Sequence, residues 1–227
     1  MLRVGKREAF EALPDPEVGP RIALELVNIH AAAPGKRHRR CCDGPEFRQA
    51  PRVRIIAGTR KGHTIYAPKG MDTRPTGDRV REAAFNLIGP VDGALVLDLF
   101  AGSGAMGLEA LSRGADRAVF VESERAACLA IERNLEKLRL TGARVVCDHV
   151  LRFVATQRQQ YDLVLVDPPY DVVESLQMRL SRYLPSVLAQ DGLLVFETSS
   201  RDEPELPLSK RTSRRYGSAR LTLFEHE

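Results

Sequence analysis

The sequence predicts an α/β protein built on a Rossmann-like, doubly wound sheet. Three observations carry that prediction. From residue 94 onward, short apolar runs alternate with amphipathic helical stretches. The first strand-to-helix junction is a glycine-rich loop, Gly102-Ser103-Gly104-Ala105-Met106-Gly107. The fourth strand ends in a rigid turn, Asp167-Pro168-Pro169-Tyr170. In an open parallel sheet both junctions fall at the carboxyl edge, where ligands bind.

Taken in order, residues 1–52 stand apart. They hold Pro14, Pro16, Pro20, Pro34, Pro45 and Pro51 and the basic run Lys36-Arg37-His38-Arg39-Arg40. A flexible N-terminal extension is expected there. His38 with Cys41 and Cys42 matches no common zinc spacing, so no metal is expected. Residues 54–58 and 63–67 read as two strands of a β-hairpin joined by Thr59-Arg60-Lys61-Gly62. Thr76 is placed to cap a helix starting near Asp78, with Val80, Ala83, Ala84 and Leu87 on its apolar face. Buried strands follow at 94–99, 118–122, 144–147, 163–167 and 193–197; their unbroken apolar runs suit burial on both faces. Helices are expected at 105–113, 124–138, 150–157 and 173–188. Residues 210–215 and 220–224 read as a terminal strand pair turning at Gly217. The expected division is an extension (1–52), a hairpin (53–72) and a main domain (73–227).

The chain has 227 residues, enough for one full-size core. No apolar run reaches the roughly 20 residues of a membrane helix, so no membrane partner is expected. The first ten residues lack the apolar stretch of a secretory signal. Its four cysteines form no Cys-x-x-Cys pair. A cytoplasmic location and a monomeric state are expected. The net charge of +4 is uneven: +5 over residues 53–81, −5 over 82–200 and +3 over 201–220. Two basic flanks folded to one side of an acidic middle would make a rim suited to phosphates.

Glycines at a strand-to-helix turn let a ligand approach the backbone closely. Glu122 ends the next strand, placed to accept from ribose hydroxyls. Both NAD and S-adenosylmethionine fit so far. Asp98 separates them, because a carboxylate beside the loop is awkward for a pyrophosphate and suits a cationic ammonium. Asp148 is placed to accept from an adenine amino group, or to cap the helix after it. Phe100, Gly102, Ser103 and Gly104 of the loop, with Ser123 and His149 next to the acids, complete the expected cofactor contacts; Gly107 serves helix–sheet packing. The cofactor expected is S-adenosyl-L-methionine.

At the second junction, two prolines fix φ and remove two backbone donors. The Pro168 carbonyl and the Asp167 carboxylate are left as acceptors. An exocyclic amine on a base is a weak nucleophile, since its lone pair is delocalised into the ring. Two acceptors hold its two hydrogens and turn the lone pair toward a methyl donor. Tyr170 is placed to stack on the base. Methylation of ring carbon would need a cysteine nucleophile in the cleft, and Cys128 and Cys147 fall in a helix and a strand. The chemistry therefore points to an amino-methyltransferase, on RNA guanine N2 or DNA adenine N6. A non-catalytic nucleic-acid-binding module and an NAD-dependent oxidoreductase are the remaining alternatives.

From Val53 onward the chain resembles the RsmD family, methyltransferases of guanine N2 in 16S ribosomal RNA. The likeness rests on Arg54-Ile55-Ile56-Ala57-Gly58 and on Thr73-Arg74-Pro75-Thr76-Gly77-Asp78-Arg79-Val80-Arg81-Glu82. It continues through Leu97-Asp98-Leu99-Phe100-Ala101-Gly102-Ser103-Gly104 to Asp167-Pro168-Pro169-Tyr170. The resemblance implies a seven-stranded sheet with its last strand antiparallel and an N-terminal hairpin flap. It also implies 16S RNA or the small subunit as partner, with Arg74, Thr76, Arg79 and Arg81 near the RNA entrance. Arg60 and Lys61 of the hairpin turn are expected to join them. The resemblance assigns nothing to residues 1–52.

Overall fold

The computed structural model describes residues 53–67, 77–169 and 173–227. Seven strands form one mixed sheet: β1 (Leu95–Leu99), β2 (Arg117–Glu122), β3 (Ala143–Cys147), β4 (Tyr161–Val166), β5 (Leu188–Ser199), β6 (Ser209–Tyr216) and β7 (Ala219–Glu225). Their order is β3-β2-β1-β4-β5-β7-β6. The first five run parallel, and β7 is antiparallel to both β5 and β6. The expected seven-stranded α/β sheet with an antiparallel last strand is thus present. The strand pair at the end turns at Gly217, whose φ of 61° suits glycine.

The helices are α1 (Asp78–Ile88), α2 (Ala105–Ser112), α3 (Arg125–Leu138), α4 (Val150–Thr156), α5 (Val173–Leu180) and α6 (Leu184–Val187). Two apolar layers sandwich the sheet. Odd residues Leu163 and Leu165 of β4 pack with α1, α2 and α3, while Val164 and Val166 pack with α4, α5 and α6. This alternation is the period-two pattern of a strand buried on both faces.

Four local expectations need correction. The helix expected over 173–188 is two, because the chain leaves α5 at Leu180 and restarts α6 with Pro185 in its first turn. The cap of α1 is Gly77 rather than Thr76, which lies outside the described residues. The buried face of α1 is Arg81, Ala84, Phe85 and Ile88, one step round from the face read in the sequence. The hairpin is not a pair of extended strands. Arg54 and Thr64 form one antiparallel bridge, and a 3-10 turn at Gly58–Arg60 closes the loop.

Hydrogen bonds to buried side chains hold that loop down. The Glu109 carboxylate of α2 accepts from Ile56 N–H at 2.7 Å and Ala57 N–H at 2.9 Å. Ser112 Oγ donates to the Ala57 carbonyl and accepts from Arg60 N–H. The approach at Gly58 is so close that a Cβ there would sit 1.8 Å from the Ser112 carbonyl oxygen. Beyond Ala67 the path up to residue 76 lies outside the described residues.

Candidate functional site

The glycine loop leaves β1 through Phe100, whose φ of 60° is unusual for a side chain of its size. Strain of this kind persists where surrounding structure holds it, often beside ligands. Gly102 and Gly104 follow with φ of 55° and 79°. The three positions fold the loop over the carboxyl end of β1. Gly107 does other work: a Cβ there would lie 2.4 Å from Phe120 Cε1 and 3.0 Å from Asp98 Oδ2. Its lack of a side chain lets α2 sit against β2.

Asp98 is 3 % exposed and its Oδ2 accepts from Gly107 N–H at 2.8 Å. Burial pushes the carboxyl up to about 8; the Gly107 bond opposes this, while Asp167 and then Glu122 add to it. A buried acid so short of positive charge fits a ligand that brings a cation. Glu122 lies at the end of β2, also buried. Its Oε2 accepts from Gly102 N–H at 2.8 Å, and its Oε1 from Glu124 N–H at 2.9 Å and Ser123 Oγ at 3.3 Å. A carboxylate offers about four lone-pair sites, so one acceptor direction remains for a hydroxyl.

Asp148 follows β3, and its N–H donates to the Glu122 carbonyl. Its Oδ1 accepts from His149 N–H at 2.7 Å and meets Arg152 at 3.3 Å. The cap of α4 is His149, so Asp148 stands one residue before the position expected for a cap. Ser123 and His149 are exposed beside these acids. Ser103 is buried, and its carbonyl accepts from Asn134 Nδ2 at 3.1 Å.

At the second junction Asp167 is exposed, Pro168 buried and Pro169 exposed. Asp167 N–H reaches back to the Leu99 carbonyl at 3.5 Å, so the segment stays beside β1 as it leaves the sheet. The electrostatic influence of Asp167 on Asp98 places the two junctions together. Tyr170 lies outside the described residues, as does Arg74.

The remaining RNA-facing expectations divide. Arg79 is exposed on α1. Arg81 is 4 % exposed: it bonds Asp78 at 3.1 Å and the Arg54 carbonyl, and lies 3.8 Å from Glu109. Its guanidinium therefore braces the hairpin against α1 and α2, contrary to the expected place at an RNA surface. Arg60 and Lys61 sit at the hairpin tip, beside Ser112 at the far end of α2 from the glycine loop. Eight helical residues separate the two, about 12 Å. Arg60 also donates to the Arg139 carbonyl at 3.2 Å. The tip thus points away from the edge where the acids gather.

Sequence reading missed Glu109 and Asn134. Both are fully buried. Asn134 Oδ1 accepts from Tyr66 N–H, and its Nδ2 donates to the carbonyls of Tyr66 and Ser103. The available signal was a polar residue on an otherwise apolar helix face, three residues after Ile131 or one after Leu108. Glu197, buried at the end of β5, was also missed.

No helix among the described residues is long and apolar enough to cross a membrane. Residues 53–225 match the family model described as conserved hypothetical protein 95. The Bacillus subtilis (strain 168) protein named "Putative rRNA methyltransferase YlbH" is 38% identical over 162 residues, covering 68% of this chain and 86% of its own length. Ribosomal RNA small subunit methyltransferase D of Escherichia coli (strain K12) is 42% identical over 127 residues, 56% of this chain and 64% of that protein. Among solved structures, "Putative methyltransferase yhhF from Escherichia coli" superposes with a TM-score of 0.67 at 34% identity, over 78% of this chain and 99% of that one.

Proposed function

The chain belongs to the family described as conserved hypothetical protein 95, the RsmD family, and from that premise we propose that it methylates the exocyclic N2 of a guanine in 16S ribosomal RNA, with S-adenosyl-L-methionine as donor. The observation that carries the reading is the meeting of Asp167-Pro168-Pro169 with buried Asp98 at the carboxyl edge of β1 and β4. One junction suits a cationic nucleoside; the other suits a planar amine.

Asp98 is the residue to hold the ammonium of the donor, Glu122 its ribose hydroxyls and Asp148 its adenine amino group. Phe100, Gly102, Ser103, Gly104, Ser123 and His149 line the same place. When bound, the donor supplies an electrophilic methyl group on a sulfonium. Asp167 and the Pro168 carbonyl accept the two N2 hydrogens and aim the nitrogen lone pair. Neither proline brings a competing N–H. Asp167 takes up a proton only as the nitrogen becomes cationic, so no strong base is needed beforehand. Tyr170 is the residue proposed to stack on the base, and Arg74, Thr76 and Arg79 to meet the RNA. The buried Arg81 is left out of that set.

The test is incubation of the protein with labelled donor and separate pools of naked 16S RNA, small subunits and duplex DNA. Label on guanine N2 of RNA or subunits is expected. Label on DNA adenine alone overturns the ribosomal reading, and transfer to no pool overturns methyl transfer.

A further inference from the structure

The catalytic edge of the sheet is acidic. Asp98, Glu122, Asp148, Asp167 and Glu197 all lie at the carboxyl ends of strands there. A polyanion delivering a base into this edge needs cations close by, or the acids repel it. The cations of the hairpin tip are at the wrong end of α2, and Arg81 is buried.

Register supplies the missing charge at the end of β6. The last printed pair of β4 and β5 is Val166↔Phe196, so Asp167 stands in the row of Glu197. Glu197 pairs with Leu221, and Leu221 with Arg214. Asp167 and Arg214 therefore occupy one row, three strand spacings apart, about 14 Å. They also share a face: Leu165, two residues before Asp167, and Leu221, directly opposite Arg214, belong to the same apolar layer. The next residue, Arg215, pairs with Arg220 one step further toward the catalytic edge.

Like charges placed directly opposite destabilise a strand pair. Here Arg220 is buried and tied to Glu203 at 3.0 Å, Ser213 Oγ and the Ser200 carbonyl. Glu203 also takes Lys210 at 2.8 Å. One carboxylate thus serves Lys210 and Arg220 and feels Arg215 as well. Arg214 and Arg215 themselves are exposed and make no side-chain hydrogen bond or ion pair among the described residues. Arg201, exposed in the turn after β5, stands at the same edge. The outer side of β6 is the free edge of the sheet, so nothing in the sheet covers it.

We propose that Arg214 and Arg215 form a phosphate-binding ledge that holds the RNA strand beside the target nucleotide. This rests on the RNA methyltransferase reading above. A strand advances about 3.4 Å per stacked nucleotide and more when drawn out, so 14 Å corresponds to roughly two to four nucleotides from the methylated base. The ledge reads phosphates, and so contributes affinity and register without base preference.

The test compares wild type with Arg214→Gln/Arg215→Gln and Arg214→Glu/Arg215→Glu, using 16S RNA and small subunits from cells lacking the modification. Arg158→Gln, an exposed position before β4 at the opposite edge, is the control. The ledge predicts a KM for RNA raised at least about tenfold in the Gln pair and further in the Glu pair. It also predicts a log–log salt dependence shallower by about 1 per arginine lost. Binding of S-adenosylhomocysteine, read by calorimetry, stays as in wild type and confirms that each variant is folded. Unchanged KM and salt slope in the Gln pair, with wild type active, overturn the ledge alone. Equal loss in Arg158→Gln overturns it too, since any cation would then serve. A wild type that methylates neither RNA pool overturns the underlying reading and the ledge with it.

Discussion

Asn134 and Tyr66 exchange two hydrogen bonds, the amide oxygen accepting from Tyr66 N–H at 2.7 Å and the amide nitrogen donating to the Tyr66 carbonyl at 2.9 Å. The side chain thus behaves as a neighbouring strand would toward the hairpin. The same Nδ2 reaches the Ser103 carbonyl in the glycine loop, so one buried residue ties hairpin, α3 and loop together. Asn134→Ala leaves three backbone groups without that partner. A loss of about 2–4 kcal/mol is expected in urea unfolding. Hydrogen exchange at Ile65 and Tyr66 should accelerate before the sheet opens. Protection unchanged at those amides would show that Glu109 and Ser112 alone hold the hairpin.

Asp98 yields a pH prediction whose sign follows from its raised pKa. Its carboxyl titrates near 8 in the free folded protein and near 3.8 when unfolded. The folded state therefore keeps a proton that the unfolded state has lost. Stability falls as pH rises between these values, and levels off above about 8. A ligand ammonium beside Asp98 favours the carboxylate, so binding at pH 6.5 expels the proton. Calorimetry with S-adenosylhomocysteine in buffers of different ionisation enthalpy should register release of about one proton per site. Asp98→Asn should abolish the release and weaken binding. Release that persists in the variant would move the effect to another group.

Gly107 and Gly102 are expected to respond differently to alanine. At Gly107 the new methyl meets the Phe120 ring at 2.4 Å, and α2 must move off β2. Overpacking of this kind costs about 1–3 kcal/mol, and the shift also stretches the Gly107 bond to Asp98. At Gly102 the methyl has room, its nearest neighbour being the Phe100 carbonyl at 3.9 Å, and only the φ of 55° resists it. Urea unfolding should show the larger loss for Gly107→Ala. The reverse order would mean that loop conformation, and not helix packing, limits this junction.

These residues also show what the sequence makes legible. Asp98, Glu122 and Asp167 could be placed because each closes an apolar run, and the end of a parallel strand is a fixed address on the edge of the sheet. Arg81 and Glu109 could not, because their partners are backbone atoms of a hairpin about 27 and 53 residues away. A helix that buries an arginine shifts its apparent apolar face, which is why α1 was read one step out. Arg214 gave no local sign either: its meaning comes from a row that runs through three other strands. The hairpin was read correctly as a turn-back but not as a docked loop, since the Glu109 carboxylate takes the place of extended cross-strand pairing.

Asp167 carries the most demanding prediction, because it must separate chemistry from binding. Its proposed work is to hold an N2 hydrogen, and the donor contacts are assigned to Asp98, Glu122 and Asp148. Asp167→Ala should therefore cut kcat by at least about a hundredfold, the usual scale for a positioned acceptor or base. S-adenosylhomocysteine binding should persist and, if anything, release slightly less heat of proton transfer. The Asp167 charge is one cause of the raised Asp98 pKa, so the Asp98 titration should move down toward the ordinary carboxylate range in the variant. Asp167→Asn, which keeps an acceptor oxygen, should retain more turnover than the alanine variant. Equal turnover in the two would show that charge, and not geometry, is what Asp167 supplies. Loss of product binding in both would move Asp167 from the amine to the donor side of the site.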